Sequence, residues 1–379
     1  MTMRKRIYLD HAAATDTDPA VIDALKKALK STGNPNSIHE EGRSVYNSIE
    51  LAERNILNFF SVKTTHIMRW SFSVADITRN LFRDAINLFD FDTTIEIITT
   101  PIEHPAILES CAILKSSGWT VKYLPVDKDG FVSIDDVAKR ITPKTAIVAI
   151  GHSNSEIGTI QPIKEIGKII QEYRRKNKSV YPLFLIDASQ SVEWVPINVQ
   201  VWGVDILAFC SSKIYGIPGV ATALIRRGIF PSQKNAEMYS TPLIISTAEA
   251  VSKIDFKDSN RISSLRDETI GWILKTIPGV RLNGPSGLLR ISNNINISFS
   301  GCPSDELMLA LDKRGVAVGS GSACTSHRVG PSHVLEAIKP PKEFLDTAIR
   351  ISLSRSTTKQ ELKLFIKILK EEVDRVRKR

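Results

Sequence analysis

Cys324 stands in a run of small residues, Gly319-Ser320-Gly321-Ser322-Ala323-Cys324-Thr325-Ser326. Glycine, serine and alanine leave a thiol uncovered and let the backbone move, which suits a nucleophile that must reach towards a substrate. A flexible loop with an incidental cysteine has the same composition. Cys324 is therefore a candidate nucleophile. This assignment depends on whether residues elsewhere in the chain could act together with it.

Two such partners follow apolar runs that are typical of buried strands. Asp187 comes directly after Phe184–Ile186, and Lys213 follows Ile206–Phe209 after a short polar stretch. Open α/β sheets bind ligands at the carboxyl ends of their strands. A carboxylate placed there can pair with a cationic ring nitrogen, or it can simply cap a helix. A lysine placed there is a candidate for a Schiff base, because desolvation lowers its pKa, unless it is an exposed loop residue.

The length and composition agree with a globular enzyme that has more than one domain. The chain has 379 residues, with 42% hydrophobic and 24% charged residues, which predicts one large and one smaller domain. The formal net charge of +9 is spread along the chain. One local cluster, Arg375 to Arg379, is predicted to be a solvated helix end rather than a contact to nucleic acid.

Cysteine usage and hydropathy indicate the cellular compartment and whether the chain contacts a membrane. The four cysteines show no CxxC and no metal-type spacing, so we expect neither a disulfide framework nor a metal site, and reduced thiols fit the cytoplasm. No apolar run approaches the length of a membrane span, and Asp10-His11 interrupts the N-terminus before a signal peptide could form. We therefore expect a cytoplasmic protein without membrane contact.

Short apolar runs alternate with amphipathic stretches from about residue 95. Predicted strands are Ile95–Thr99, Val121–Leu124, Ala146–Ile150, Leu183–Ile186, Ile206–Phe209 and Ala221–Ile225, and predicted helices include Pro105–Ser116, Ile134–Arg140 and Ile163–Arg175. This alternation predicts an α/β fold with a mostly parallel sheet. The alternation of predicted strands and helices changes after about residue 250, so we expect a large α/β domain over 16–250. A smaller α+β domain would comprise 1–15 and 251–379 and would carry Cys324.

Several segments together resemble one known family. They are Tyr8-Leu9-Asp10-His11, Gly33-Asn34-Pro35-Asn36, Glu103-His104, His152-Ser153-Asn154, Asp187-Ala188-Ser189-Gln190 and the segment around Cys324. In this order they resemble the pyridoxal-phosphate-dependent cysteine desulfurases of the class V aminotransferase superfamily, and the Cys324 segment resembles the iron–sulfur-assembly branch. The resemblance runs from Tyr8 to about Arg355. It implies the fold type I of these transferases, with a seven-stranded sheet, and a homodimer.

The resemblance also implies a role for individual residues. Lys213 would hold the cofactor as a Schiff base and move protons, Asp187 would pair with the ring nitrogen, and Cys324 would take the sulfur of L-cysteine as a persulfide, leaving L-alanine. Arg350 would clamp the substrate carboxylate by its planar fork. The remaining implied contacts are His104 on the ring face, Gln190 to the ring oxygen, Asn34 to the substrate, and Asn154, Ser73, Cys210, Ser212 and Thr241 to the cofactor. Thr241 matches a threonine that reaches the phosphate of the neighbouring subunit.

The departures from the family pattern cluster around the cofactor phosphate. Ser212 stands where histidine is usual, and Cys210 stands where serine is usual. In the phosphate loop a glycine has become Val74 and a threonine has become Asp76. Valine does not readily adopt the positive φ that glycine allows. A carboxylate beside the phosphate would oppose binding by on the order of 1 to 4 kcal/mol, so we expect weak cofactor affinity.

Three functions remain open from the residues. The first is a working desulfurase that delivers sulfur to an acceptor protein. The second is an inactive relative that serves as a scaffold or regulatory partner. The third, an enzyme acting on another substrate, is disfavoured because Cys324 and Arg350 are both present. Lys213, Asp187 and Gln190 favour the first over the second, because a scaffold does not need those chemical groups.

Overall fold

The computed structural model describes residues 6–86, 88, 95–230, 240–320 and 331–378. Its strands are β1 Ile7–Leu9, β2 His66–Ser71, β3 Glu96–Thr99, β4 Thr120–Tyr123, β5 Thr145–Gly151, β6 Leu183–Asp187, β7 Ile206–Cys210, β8 Ala221–Arg226, β9 Val280–Leu282, β10 Asn294–Phe299, β11 Val316–Val318 and β12 Ala348–Ser352. Its helices are α1 Pro19–Ala28, α2 Glu40–Phe59, α3 Val74–Ile86, α4 Pro105–Ser116, α5 Ile134–Arg140, α6 Ile163–Asn177, α7 Thr241–Ser252, α8 Phe256–Thr276, α9 Ser304–Lys313, α10 His333–Ile338 and α11 Lys359–Val376.

Seven strands form the main sheet in the order β2-β8-β7-β6-β5-β3-β4. The pairs from β7 through β6, β5 and β3 to β4 are parallel, whereas β8 is antiparallel to both of its neighbours. The predicted α/β class with a mostly parallel sheet is therefore confirmed. Helices α4, α5 and α6 connect β3 to β4, β4 to β5 and β5 to β6, and the central strands β6 and β7 are buried on both sides.

Helix boundaries follow local hydrogen bonding. The Asp18 side chain accepts a hydrogen bond from the Ala20 N–H, with Pro19 in the first turn of α1. Thr358 and Glu361 form a reciprocal capping box at the start of α11. These caps satisfy N–H groups that have no partner within the helix.

A second apolar core lies around the smaller sheets. Strands β12, β10 and β9 form an antiparallel sheet, and β1 pairs in parallel with β11. Residues of α8, α9 and α11 pack with Ile295, Ile297 and Ile351 in this core. The predicted division of the chain at about residue 250 stays a prediction. Among the helices of the described ranges, none combines the length and the apolar character needed to cross a membrane.

Candidate active site

One cavity of about 520 Å³ lies at the carboxyl ends of β5, β6 and β7, where the starts of α3 and α4 also meet. This is the edge at which open α/β sheets bind ligands. The structure brings together nine of the predicted site residues in its wall: Ser73, His104, Asn154, Asp187, Gln190, Cys210, Ser212, Lys213 and Arg350.

Lys213 and Gln190 converge on the N-terminal segment. Lys213 lies in a short helical turn after β7, and its Nζ donates to the carbonyl oxygens of Ala12, at 2.7 Å, and of Ala13. The Nε2 of Gln190 donates to the same Ala12 oxygen at 3.1 Å. The segment after β1 therefore closes one side of the cavity and holds the lysine amine there.

Asp187 is the last residue of β6 and also lines the cavity. One carboxylate oxygen accepts the Ser189 N–H at 2.9 Å, which fixes the side chain at the strand end. Within the described ranges this is the only hydrogen bond to that carboxylate. The second oxygen is available to a ligand, as pairing with a protonated ring nitrogen requires.

His104 begins α4 and caps it with its ring. Its Nδ1 accepts the Ala106 N–H at 3.2 Å, so in the neutral ring the proton sits on Nε2. The preceding residue, Glu103, is buried, and its carboxylate accepts hydrogen bonds from Thr100 Oγ1 and the Gly151 N–H, each at 2.8 Å. Burial raises the pKa of Glu103 to about 7. The two residues join the end of β3 to the end of β5 beneath the cavity.

Arg350 enters the cavity from β12 and is only 3% exposed. One terminal nitrogen donates to Asp10 Oδ1 at 2.8 Å, and the other donates to the Ser155 carbonyl at 3.1 Å. Glu156, which is also buried, interacts electrostatically with this guanidinium. A guanidinium held in this way can receive a carboxylate.

Asn154 uses its amide to shape the loop after β5. Its Nδ2 donates to the Ile102 carbonyl at 2.8 Å, and its Oδ1 accepts the N–H groups of Glu156 and Ile157, each at 2.9 Å. The side chain lines the cavity, yet these bonds occupy both of its polar ends. Its predicted contact to a cofactor stays a prediction.

The start of α3 also contributes to the cavity wall, and its geometry differs from what two of the substitutions predict. Val74 has no positive φ; it is the first residue of the helix, and its side chain is buried. The Asp76 carboxylate does not line the cavity, because it accepts hydrogen bonds from Ser71 Oγ and, at 3.5 Å, from Asn80 Nδ2. Ser73 Oγ accepts the Asp76 N–H at 3.1 Å. The altered loop is a regular helix start rather than a strained turn.

Cys210 and Ser212 lie at the end of β7, directly before Lys213, and line the cavity. The Ser212 hydroxyl donates to the Cys210 sulfur at 3.6 Å. Burial raises the pKa of the Cys210 thiol, so it stays protonated at neutral pH and is a poor nucleophile. Both side chains offer only neutral, weak hydrogen-bonding groups to an anion in the cavity.

Three predicted site residues are not placed in the cavity of this chain. Asn34 is exposed, and its Oδ1 accepts the Asn36 N–H at 2.9 Å. Thr241 is the half-buried first residue of α7 and does not line the cavity. Cys324 lies outside the described residues.

Comparison with known proteins agrees with this geometry. Residues 7–241 and 238–365 match the family model described as aminotransferase class-V. Cysteine desulfurase IscS of Dictyoglomus turgidum is 37% identical over 390 residues, with 99% of this chain and 96% of that protein covered. The chain belongs to the cysteine desulfurase family. The IscS desulfurase of Methanosarcina thermophila is 33% identical, covering 99% of this chain and 94% of that protein.

Solved structures of this family share the whole fold. A NifS-like protein has a TM-score of 0.86 at 26% identity, covering 97% of this chain and 98% of its own. The structure titled "SspA in complex with cysteine" has a TM-score of 0.76 at 26% identity, covering 93% of this chain and all of that one. The resemblance to class V cysteine desulfurases that the sequence indicates is therefore confirmed.

Enzymes of this family depend on pyridoxal phosphate, and the residues present fit that group. Among the described residues, Asp187 keeps one carboxylate oxygen without a hydrogen-bond partner. Lys213 supplies an amine in the same cavity, and Val74 and Ala75 bring the N-terminus of α3 to its wall. The first N–H groups of a helix have no partner within it and favour anions such as phosphate.

Sequence reasoning did not assign a role to three polar residues that build the site. Asp10 pairs with Arg350, Glu103 accepts hydrogen bonds from Thr100 and the Gly151 N–H, and His333 Nε2 hydrogen-bonds to the Glu103 carbonyl at 3.0 Å. Asp10 and Glu103 stand in the segments that carry the family resemblance, so those segments could have pointed to them. His333 has no such signal, because its contact joins residues 230 positions apart.

Proposed function

We propose that this chain removes sulfur from L-cysteine, releases L-alanine and carries the sulfur on Cys324 as a persulfide. The observation that supports the proposal most strongly is the meeting of three groups around one cavity. These are the amine of Lys213, the carboxylate of Asp187 and the guanidinium of Arg350. An amine that binds an aldehyde, an acid that pairs with a ring nitrogen and a fork for a carboxylate are what amino-acid chemistry on pyridoxal phosphate requires.

Bound pyridoxal phosphate supplies an electron sink for negative charge that develops at the substrate Cα. Asp187 would pair with the ring nitrogen and so favour its protonated form. Lys213 would hold the cofactor through its amine, and the same amine would move a proton at the substrate Cα. His104 and Gln190 line the same cavity and would contact the ring face and the ring oxygen.

Arg350 holds the substrate carboxylate and thereby aims the rest of the amino acid into the cavity. The Cys324 thiolate then attacks the substrate sulfur. A sulfur–sulfur bond forms while the bond between sulfur and the substrate Cβ breaks. The electron pair of the broken bond stays with carbon, which takes up a proton, so that alanine leaves and the persulfide remains.

The persulfide is passed to a sulfur-acceptor protein, and the enzyme works as a homodimer in the cytoplasm. Thr241 lies outside the cavity of its own chain, which supports a role for this residue across a subunit interface. The exposed position of Asn34 agrees with a contact that is completed only in the assembled enzyme.

Absorption titration with pyridoxal phosphate tests the cofactor part of the proposal. We expect a cofactor band above 400 nm that saturates with the wild-type protein and is missing in Lys213→Ala. A neighbouring substitution, Ser211→Ala, removes a buried hydroxyl beside the lysine turn and should keep the band. If no Lys213-dependent band forms, the proposed enzymatic function is wrong, and the alternative function as a scaffold or regulatory partner is favoured.

Product assays with L-cysteine test the role of Cys324. We expect sulfide in the presence of a reductant and alanine in equal amounts, and we expect Cys324→Ser to abolish both. Cys302→Ala is the matched control, because Cys302 is buried in the second apolar core, away from the cavity. Equal rates for the Cys324→Ser variant and the wild type would contradict the persulfide step.

A further inference from the structure

The Arg350 guanidinium is buried at the junction of three backbone segments. It projects from β12, next to the end of β1 and to Gly319, which forms an isolated antiparallel bridge with Arg350. A buried cation is stable only when it is paired and hydrogen-bonded. Asp10 supplies the charged partner at 2.8 Å, with 19% of its own side chain exposed.

The chain leaves room for this pair at Gly319. A Cβ built on Gly319 would lie 2.5 Å from Asp10 Oδ1 and 2.9 Å from the Arg350 terminal nitrogen that bonds to it. At these distances a side chain at position 319 would force the ends of the Asp10 and Arg350 side chains to move. Glycine at this position therefore leaves the Asp10–Arg350 contact undisturbed, and the burial of Arg350 sets the contact apart from a surface ion pair.

The hydrogen bonds of Arg350 leave part of its fork unused. Each terminal nitrogen carries two hydrogens. One donates to Asp10 and one to the Ser155 carbonyl, and no other hydrogen bond to this side chain is found in the ranges that the structure describes. One hydrogen remains on each terminal nitrogen, and the Nε–H also has no hydrogen-bond partner among the described residues. The two terminal hydrogens are the number that a carboxylate accepts in a bidentate pair.

We propose that Asp10 is a positioning residue for amino-acid carboxylates: it holds the Arg350 fork so that the two remaining terminal N–H groups face the ligand. The inference rests on the proposed function, since it assumes an amino-acid substrate in this cavity. Asp10 itself does not touch the substrate. In the opposite case, Asp10 merely competes with the substrate for Arg350, and replacing Asp10 should tighten L-alanine binding.

Calorimetric titration of the purified full-length protein separates the two readings. The ligands are L-alanine, which carries a carboxylate, and ethylamine, which lacks one. We expect Asp10→Ala to weaken L-alanine binding by at least about tenfold, because the fork loses its fixed orientation. Asp10→Asn keeps the size and one acceptor oxygen and should weaken it less. Ethylamine affinity should be the same in all three proteins.

Two further variants complete the experiment. Arg350→Lys should lose the preference for L-alanine over ethylamine. Tyr8→Phe removes hydroxyl bonds to the Asp10 and Ala14 carbonyl oxygens in the same segment but leaves the Asp10 carboxylate in place, so its affinity should match the wild type. Thermal unfolding of each variant reports on folding, and Asp10→Asn provides the test if Asp10→Ala is unstable.

The outcomes distinguish the inference from the proposed function. Unchanged or tighter L-alanine binding in both Asp10 variants overturns the inference, and so does a wild-type protein that does not bind L-alanine. A missing Lys213-dependent cofactor band overturns the proposed function instead. L-alanine binding is measured by heat and cofactor binding by absorbance. The two measurements are independent, so each proposal can fail without the other.

Discussion

Two parts of the cavity wall are built from different kinds of residue. One part, called here the chemical end, carries the charged groups Lys213, Asp187 and Arg350, each fixed by a protein hydrogen bond at 2.7 to 2.9 Å. The other part, called here the phosphate end, is the start of α3, which offers Val74, Ala75 and the Ser73 hydroxyl. The chemical end keeps its charged groups, whereas the phosphate end relies on the backbone of a helix N-terminus.

This contrast shows that reaction chemistry and cofactor anchoring are separable in one site. Groups that act on the substrate need defined charge and orientation, so replacing one of them removes the reaction. A helix N-terminus attracts anions through its N–H groups, whichever side chains it carries. Side-chain substitutions at that end lower affinity gradually, because the backbone contribution remains.

Removing the charge of Asp187 should have the largest effect. In Asp187→Asn the ring nitrogen loses its proton-holding partner, and kcat should fall by at least about 10²-fold. Steady-state alanine production and the cofactor absorbance should be measured on the same samples. The cofactor should still bind, because Lys213 and the helix N-terminus are unchanged. A kcat close to that of the wild type would show that the two ends do not divide the work in this way.

Burial of Glu156, which lines the cavity, should lower the free energy of unfolding in a pH-dependent manner. One oxygen of this carboxyl has no hydrogen-bond partner among the described residues, and burial raises its pKa to about 7. Between about pH 4.5 and pH 7 the unfolded chain releases the proton while the folded protein retains it. The free energy of unfolding therefore falls as pH rises through this window, by about 1 to 3 kcal/mol.

Urea unfolding at pH 5 and pH 8 measures this contribution. Glu156→Gln should lose less stability than the wild type between the two pH values, and the exposed Glu109→Gln variant should behave like the wild type. Parallel losses for the wild type and Glu156→Gln would mean that the Glu156 carboxyl is already ionised at pH 5.

The sequence predicts the parallel strands of the main sheet and the charged residues of the cavity well, because both leave a clear pattern in the sequence. Strands such as Ile206–Cys210 are buried on both faces and read as continuous apolar runs, and Asp187 stands directly at the end of one. Strand β2 contains His66 and Arg69 and pairs antiparallel at the sheet edge, so its pattern is broken and it is not predicted. Helix α7 has apolar residues around most of its surface, which hides the helical period.

The orientation of Asp76 is not readable from sequence. Residue type alone places a carboxylate near the predicted phosphate, whereas the structure turns it towards Ser71 and Asn80. Which neighbour a short side chain selects depends on its rotamer and on donors in adjacent elements. Proximity along the chain therefore predicts a carboxylate beside the phosphate, whereas the structure directs it away from the cavity wall. Its electrostatic effect on cofactor affinity stays a prediction.

Opening the wall at Val74 should tighten cofactor binding. Val74→Gly removes a side chain from the cavity wall at the helix start and lets an anion approach the backbone N–H groups more closely. The dissociation constant for pyridoxal phosphate should fall by about three- to tenfold. The thermal midpoint without cofactor should also fall, because glycine raises the entropy of the unfolded chain.

Ala75→Gly is the matched control for that prediction. It introduces the same flexibility one residue later but removes only a methyl group, so it should lower the thermal midpoint without a comparable gain in affinity. If both glycine variants bind the cofactor as the wild type does, the side chain of Val74 is not what limits anchoring at this end.

Neutralising Asp76 should have the smallest effect. Its carboxylate already accepts two hydrogen bonds from its own neighbourhood and does not line the cavity, so Asp76→Asn should change the affinity for pyridoxal phosphate by less than about threefold. Titration at low and at moderate ionic strength gives the measurement. A gain of tenfold or more, present only at low salt, would mean that the charge acts on the phosphate across the helix start. The weak end of the cavity would then be limited by electrostatics, and Val74→Gly would not improve binding unless Asp76 were replaced as well.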